Sequence, residues 1–304
     1  ARDDPGEAFR YFWLIFRAEA FTPRTEMVEG EEKETCFVEL LIDRSREYAK
    51  RLEERLKDRV FDEIFPHFAE GFIKHLCEQN GRDPIELDED KLDRVYRGTL
   101  TLLYRLLFLL YAESRDLLPV NETRGYWDVS LTRMKEEIAE KADDLVDEAP
   151  ENISDAYDDT ETSLYERLQE LFEVVDKGAK SLNVPTYNGG LFITDPEEEQ
   201  RSAESETAEF LANNAVPDQH LALGLDRMAR DIDEQSQALA FIDYKSLGVR
   251  QLGSIYEGLL EFKVRVAEDD LAVVKEKGTY RYKEYSRLTK KEKEKLPKSR
   301  ATTV

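Results

Sequence analysis

The run from Leu100 to Ala112 constrains this chain more than any other segment. Leu100, Leu102, Leu103, Leu106, Leu107, Leu109 and Leu110 leave a helix over 90–113 with almost no polar face. Such a helix must be covered by neighbours nearly all round, so the rest of the chain has to supply several more helices. The run is broken by Arg105 and is too short to span a bilayer. The reading is therefore a mainly α fold: a multi-helix, bundle-like domain with a small β-hairpin near the C-terminus.

The partners of that helix are sought by periodicity. Phe9, Phe12, Trp13 and Phe16 recur at helical spacing over 7–20 and read as an aromatic core face rather than a base-stacking platform. Residues 44–80 form a long amphipathic stretch with Tyr48, Leu52, Leu56, Val60, Ile64 and Phe68 on its buried side. Pro66 is expected to kink or divide it, and Asn80-Gly81 to end it. Further helices are predicted over 128–148, 160–178, 221–241 and 246–263. Gly178 is a stop signal, and an acidic connection lies around Asp155-Ala-Tyr-Asp-Asp-Thr160. Leu271–Lys275 and Thr279–Lys283 read as a β-hairpin, the one strong strand signal. The chain thus divides into a helical domain over 1–180, a loop with an acidic segment over 181–215, a helical continuation over 216–265, a hairpin over 266–286 and a basic tail over 287–304.

Charge sets limits on partners. At 304 residues the net charge is −23, so nucleic acid is repelled at long range and any DNA contact needs a local basic patch. Adaptation to high salt would also produce such acidity. The tail runs the other way: from Arg287 to Arg300 there are seven basic and two acidic residues. A solvated linker and a phosphate contact both account for it. The basic residues Lys245, Arg250, Lys263, Arg265, Arg281, Lys283, Lys290 and Lys291 are the candidate DNA-binding set. Ordinary surface ion pairing is the alternative for each.

Few residues point to catalysis. Cys36 and Cys77 give neither a disulfide framework nor zinc spacing, and His67, His75 and His220 are scattered along the chain, so no metal site is expected. No signal peptide opens the sequence, and a cytoplasmic setting is expected. Gly248 and Gly253 have the spacing of a phosphate loop, but Ser254 stands where the lysine belongs. Asp155, Asp158, Asp159 and Glu161 lack the glycine and terminal glutamate of a calcium loop. Glu261-Phe262-Lys263 has the acidic-x-Lys form of a nuclease dyad. It closes a predicted helix rather than a core strand, which favours a solvated pair. No catalytic, cofactor-binding or metal-ligating residue is assigned.

Four landmarks occur in a fixed order: Glu7-Ala-Phe-Arg-Tyr-Phe-Trp13, Leu103-Tyr-Arg-Leu-Leu-Phe-Leu-Leu-Tyr-Ala-Glu-Ser-Arg-Asp-Leu-Leu-Pro119, Tyr187-Asn-Gly-Gly-Leu-Phe192, and the stretch Tyr244 to Leu260. In that order they resemble the helical region preceding the methyltransferase domain of single-chain restriction–modification enzymes. Adenine-specific DNA methyltransferases of phage-defence systems of the BREX and DISARM type share it. The resemblance covers nearly the whole chain. It implies a parent enzyme that methylates adenine N6 with S-adenosylmethionine, and in some members cuts DNA with Mg2+. It implies as partners double-stranded DNA and a methyltransferase domain following in the same polypeptide, and no membrane. The Asn-Pro-Pro-Tyr or Asp-Pro-Pro-Tyr tetrapeptide that holds a flipped adenine is absent. The expectation is therefore a non-catalytic connector that embraces DNA. An acidic protein-interaction scaffold or DNA mimic is the alternative.

Overall fold

The computed structural model describes residues 5–28, 31–81, 88–187, 189–195, 203–233, 236–259, 271–276 and 279–293. The fold is mainly α. Its helices are α1 (Pro5–Phe16), α2 (Phe37–Arg59), α3 (Phe65–Gln79), α4 (Glu89–Ser114), α5 (Leu131–Ala142), α6 (Ala149–Ala156), α7 (Ser163–Lys177), α8 (Ala203–Asn213), α9 (Asp218–Ala229), α10 (Val249–Leu259) and the short α11 (Lys290–Lys293). The strands pair as three antiparallel hairpins: β1 (Arg24–Val28) with β2 (Glu31–Thr35), β3 (Arg230–Ile232) with β4 (Leu239–Phe241), and β5 (Leu271–Glu276) with β6 (Thr279–Glu284). The chain forms two compact units, Ala1–Arg55 with Ser246–Ser254, and Leu56–Lys245 with Ile255–Val304.

In the first unit, α1 starts on Pro5, whose fixed φ suits the first helical turn. The β1–β2 register runs from Arg24 opposite Thr35 to Val28 opposite Glu31. No strand is predicted here, because a segment this rich in glutamate lacks the β-branched and aromatic signature. At the head of α2 the Glu39 carboxylate accepts the Cys36 N–H at 3.1 Å, the returning half of a capping box.

The predicted break at Pro66 takes a specific form. One turn of π-helix, Val60–Ile64, joins α2 to α3, and the Phe65 N–H donates to the Val60 carbonyl. The wider turn accommodates a proline that cannot donate and would crowd the carbonyl four residues back. Leu52, Leu56, Val60, Ile64 and Phe68 are buried as expected, whereas Tyr48 is exposed.

In the second unit α4 is the central element. Asp88 caps it by accepting the Lys91 N–H at 2.9 Å, and the helix is about 39 Å long. The leucines of its 100–110 run are buried, and the helix packs on α3, α5 and α8. Helix α9 packs in turn on α3, α5, α6 and α7. Close approach is set by glycines such as Gly98 and Gly224. A Cβ at Gly98 would lie 2.5 Å from the Phe210 ring, and one at Gly224 would collide with the Phe68 ring.

Several boundaries differ from expectation, each for a local reason. Helix α5 ends at Ala142, where Asp143 takes φ 65°, and the chain restarts as α6 with proline in its first turn. Within the acidic 181–215 loop, Ala203–Asn213 is helical, because Ala208, Phe210 and Leu211 are buried on one face. Helix α9 stops at Ala229, and the next residues form β3, where buried Arg230 holds Asp226 at 2.7 Å. The β5–β6 hairpin stands where predicted, with Leu271 opposite Glu284 and Glu276 opposite Thr279. Gly178 ends α7 with φ 74°. The tail contributes α11, and the Lys293 ammonium lies 4.3 Å from the Tyr285 ring centroid. Residues 294–304 fall outside the described part. No described helix is long and apolar enough to cross a membrane.

Two glycine substitutions separate packing from propensity. Gly98→Ala should destabilise by about 1–3 kcal/mol through overpacking, despite the better helix former. Gly253→Ala, where a Cβ meets nothing within 4 Å, should stabilise by about 0.5–1 kcal/mol. Urea unfolding midpoints of the two variants check the opposite signs.

Candidate functional site

Two of the sequence landmarks meet the one that α4 carries. Arg105, in the middle of the leucine run, is only 2% exposed. Its Nε donates to the Leu191 carbonyl at 2.7 Å and its Nη2 to the Ile193 carbonyl at 2.8 Å. The guanidinium lies 4.8 Å from the Phe172 ring centroid and 5.8 Å from that of Phe192. Burial lowers its pKa to about 10, so it stays a cation near neutral pH. The Tyr187–Phe192 landmark is thus tied to α4 through main-chain oxygens, and Phe192 is buried.

The same loop is held at both ends. The Tyr187 hydroxyl donates to the Leu117 carbonyl at 2.8 Å, and its N–H donates to Val175 at 3.0 Å. The Asp176 carboxylate accepts the Thr194 N–H and hydroxyl at 3.0 and 2.7 Å. Phe108 packs edge-on against Tyr187 and Phe192. Residue 188 lies outside the described part.

The fourth landmark reaches α4 by different atoms. Tyr104 and Tyr256 stack with centroids 4.0 Å apart, and each hydroxyl donates to the other's main-chain carbonyl at 3.1 Å. Burial pushes the Tyr104 hydroxyl up to about 12, and Tyr256 is also raised, so both remain protonated donors. Arg115 donates through Nη2 to the Lys245 carbonyl at 2.8 Å.

The C-terminal end of α4 carries a buried carboxylate, Glu113. It accepts the Tyr126 hydroxyl, the Leu131 and Thr132 N–H groups and the Thr132 hydroxyl at 2.5–2.9 Å. It thereby serves the free N–H groups at the start of α5. Burial raises its pKa, against the pull of these donors.

The candidate DNA-binding residues are placed unevenly. Lys245 and Arg250 are exposed and belong to different units. Arg281 and Lys283 occupy β6, opposite Val274 and Ala272. Lys290 and Lys291 are exposed on α11. Lys263 and Arg265, like the Glu261–Lys263 dyad, lie outside the described residues. Gly248 and Gly253 make no phosphate loop: Gly248 immediately precedes α10, Gly253 lies inside it, and Gln251 takes the Gly248 N–H at 3.2 Å.

Carboxylates of the acidic connection also have structural partners. Asp158 accepts the Thr160 N–H and hydroxyl and the Glu161 N–H, which hold its pKa down, and Asp159 pairs with Lys74. Both cysteines are free. The histidines, scattered in sequence, come from only two helices. His67 and His75 sit on α3 and His220 on α9, and the charge of His220 is felt at His67. Among the described residues no group of three or more His, Cys, Asp or Glu is placed to hold a metal ion. No family model, curated protein or solved structure matches the chain.

Sequence reasoning registered Arg105 only as an interruption and passed over Glu113. The available signal was a charge on a helix with no polar face. A charge there must be buried, and must therefore be met by hydrogen bonds.

Three outcomes are expected. Arg105→Met leaves two carbonyls without their donor and should cost on the order of 2–4 kcal/mol. It should also speed amide exchange at Gly189–Ile193 more than in α7. Tyr104→Phe and Tyr256→Phe should each cost about 0.5–1.5 kcal/mol, with a non-additive double variant because the rings touch. His67 is lowered from 6.5 to about 4 by burial, then by His220 and Arg227. Between those values the unfolded chain takes the proton first. Stability should therefore fall as the pH drops, on the order of 1.4 kcal/mol per unit from this group. Urea midpoints for wild type and His67→Gln at about pH 7 and about pH 5 read that slope, which the variant should lessen.

Proposed function

We propose that this chain is a non-catalytic helical connector, the DNA-embracing module of a site-specific adenine-N6 DNA methyltransferase or restriction–modification enzyme. The observation that carries the reading is the attachment of the Tyr187–Phe192 and Tyr244–Leu260 landmarks to the Leu103–Pro119 one. Their polar groups are spent on one another's main-chain carbonyls, and no substrate is needed to explain them. Residues that hold segments far apart in sequence belong to a scaffold that fixes the spacing of modules.

In this reading S-adenosylmethionine, and Mg2+ where the parent cuts DNA, belong to domains beyond these residues, and the setting is the cytoplasm. The connector meets duplex DNA through phosphate contacts, which fix position without reading sequence. Lys245, Arg250, Lys290 and Lys291 are exposed for that role.

The test is fluorescence anisotropy of a labelled duplex titrated at several salt concentrations. Binding should weaken steeply with salt, with a log–log slope of about −0.9 per phosphate contacted. Reversing Lys245, Arg250, Lys290 and Lys291 to glutamate should flatten the slope and weaken unrelated duplexes equally. No binding at low salt would overturn the DNA role and favour the acidic protein-interaction scaffold.

A further inference from the structure

The landmark segment at the start of the chain does not do what its spacing suggests. Phe9, Phe12, Trp13 and Phe16 do not form a core face. They are 64, 58, 54 and 61% exposed. They lie at i, i+3, i+4 and i+7, a single stripe about 100° wide along α1. Within it Phe12 stacks on Phe9 and Phe16 at centroid distances of 6.5 and 4.9 Å, and Arg17 lies 4.9 Å from the Trp13 ring. Leu14 and Ile15, on the other side of the helix, are half-buried.

The stripe is a palindrome. Its four positions have the same spacing read in either direction, with the midpoint between Phe12 and Trp13; Tyr11, also exposed, lies off the stripe. A two-fold axis through that midpoint places Phe9 beside Phe16 of a second copy, and Phe12 beside its Trp13. Self-complementarity of this kind is what an isologous interface requires, since the same patch must serve both partners. The area also fits. An aromatic side chain carries 150–250 Å², so four that are rather more than half exposed offer roughly 400–600 Å² per copy. Twice that is about 1,000 Å², the lower bound of a specific interface, and the patch on each copy is as large as the largest apolar patch of a typical monomer. The charge of the surroundings does not oppose contact. In sequence, residues 5–21 carry Glu7 and Glu19 against Arg10 and Arg17, a neutral segment in a chain of −23.

We propose that α1 is a homodimerisation helix, pairing antiparallel with α1 of a second copy through Phe9, Phe12, Trp13 and Phe16. The inference is independent of the DNA reading, because it needs no basic residue and no nucleic acid.

Sedimentation velocity of the full chain over a concentration series tests it, at moderate salt to screen the repulsion between acidic copies. A monomer–dimer equilibrium is expected, weakened at least about tenfold by Phe12→Ser or Phe16→Ser. Both residues are exposed, so the variants should keep the wild-type circular dichroism spectrum. Orientation is read by a short bifunctional thiol cross-linker. Trp13→Cys should link to itself, near the axis. Phe9→Cys should link efficiently only when mixed with Phe16→Cys. A monomer at every concentration, or a dimer that Phe12→Ser leaves intact, overturns the proposal. A dimer in which Phe9→Cys links to itself as well as Trp13→Cys does overturns the antiparallel pairing.

Discussion

A guanidinium cannot sit among leucines unless something replaces the water it has lost, and the arrangement of the second unit follows from how Arg105 meets that demand. Two main-chain carbonyls and two aromatic faces do the work, and the carbonyls come from a loop some ninety residues further on. The loop has no regular ladder of its own, so the arginine supplies donors its backbone would otherwise lack. Glu113, two turns along the same helix, solves the converse problem for the opened end of α5. One helix thus carries a buried donor and a buried acceptor, each matched to an irregular segment. Leucines at these positions would pack, but they would leave both segments unanchored.

This division of labour makes the helix both core and clamp. Apolar burial supplies most of the stabilisation and is indifferent to which loop lies where. Hydrogen bonds to named carbonyls are directional and fix the register of the loop against the helix. The reciprocal tyrosine pair does the same for α10, with two hydroxyls rather than a charge. A connector whose task is to hold modules at a set spacing would need this kind of specificity more than it needs extra stability.

How much of this was legible in the sequence depends on the kind of signal. The central helix, the stop at Gly178 and the hairpin at Leu271–Glu284 were readable, because each rests on a local pattern of apolar period or turn chemistry. The strands at Arg24–Thr35 and Arg230–Phe241 were not, since both are short and are held by pairing that periodicity does not encode. Helix α8 hid behind its glutamates, its apolar residues being few and its burial set by Phe210 against α4. The aromatic stripe of α1 shows the limit most sharply. Spacing identified a face but could not say that it points outward. The landmarks pointed to a family role, yet that Arg105 joins two of them was visible only in three dimensions.

The discontinuity of the first unit has a consequence in time. Its closing piece, Ser246–Ser254, is made about 190 residues after Arg55. At synthesis rates of about 5–20 residues per second, the earlier segment waits on the order of ten to forty seconds for nine residues to arrive. Through that interval the aromatic helix and a two-stranded ribbon, marginal by itself, stand incomplete on the ribosome. The second unit has most of its sequence in hand before the first can close. Topology therefore leaves the first unit open until synthesis has passed Ser254, and the second gains its own last piece, from Ile255 onward, only after that.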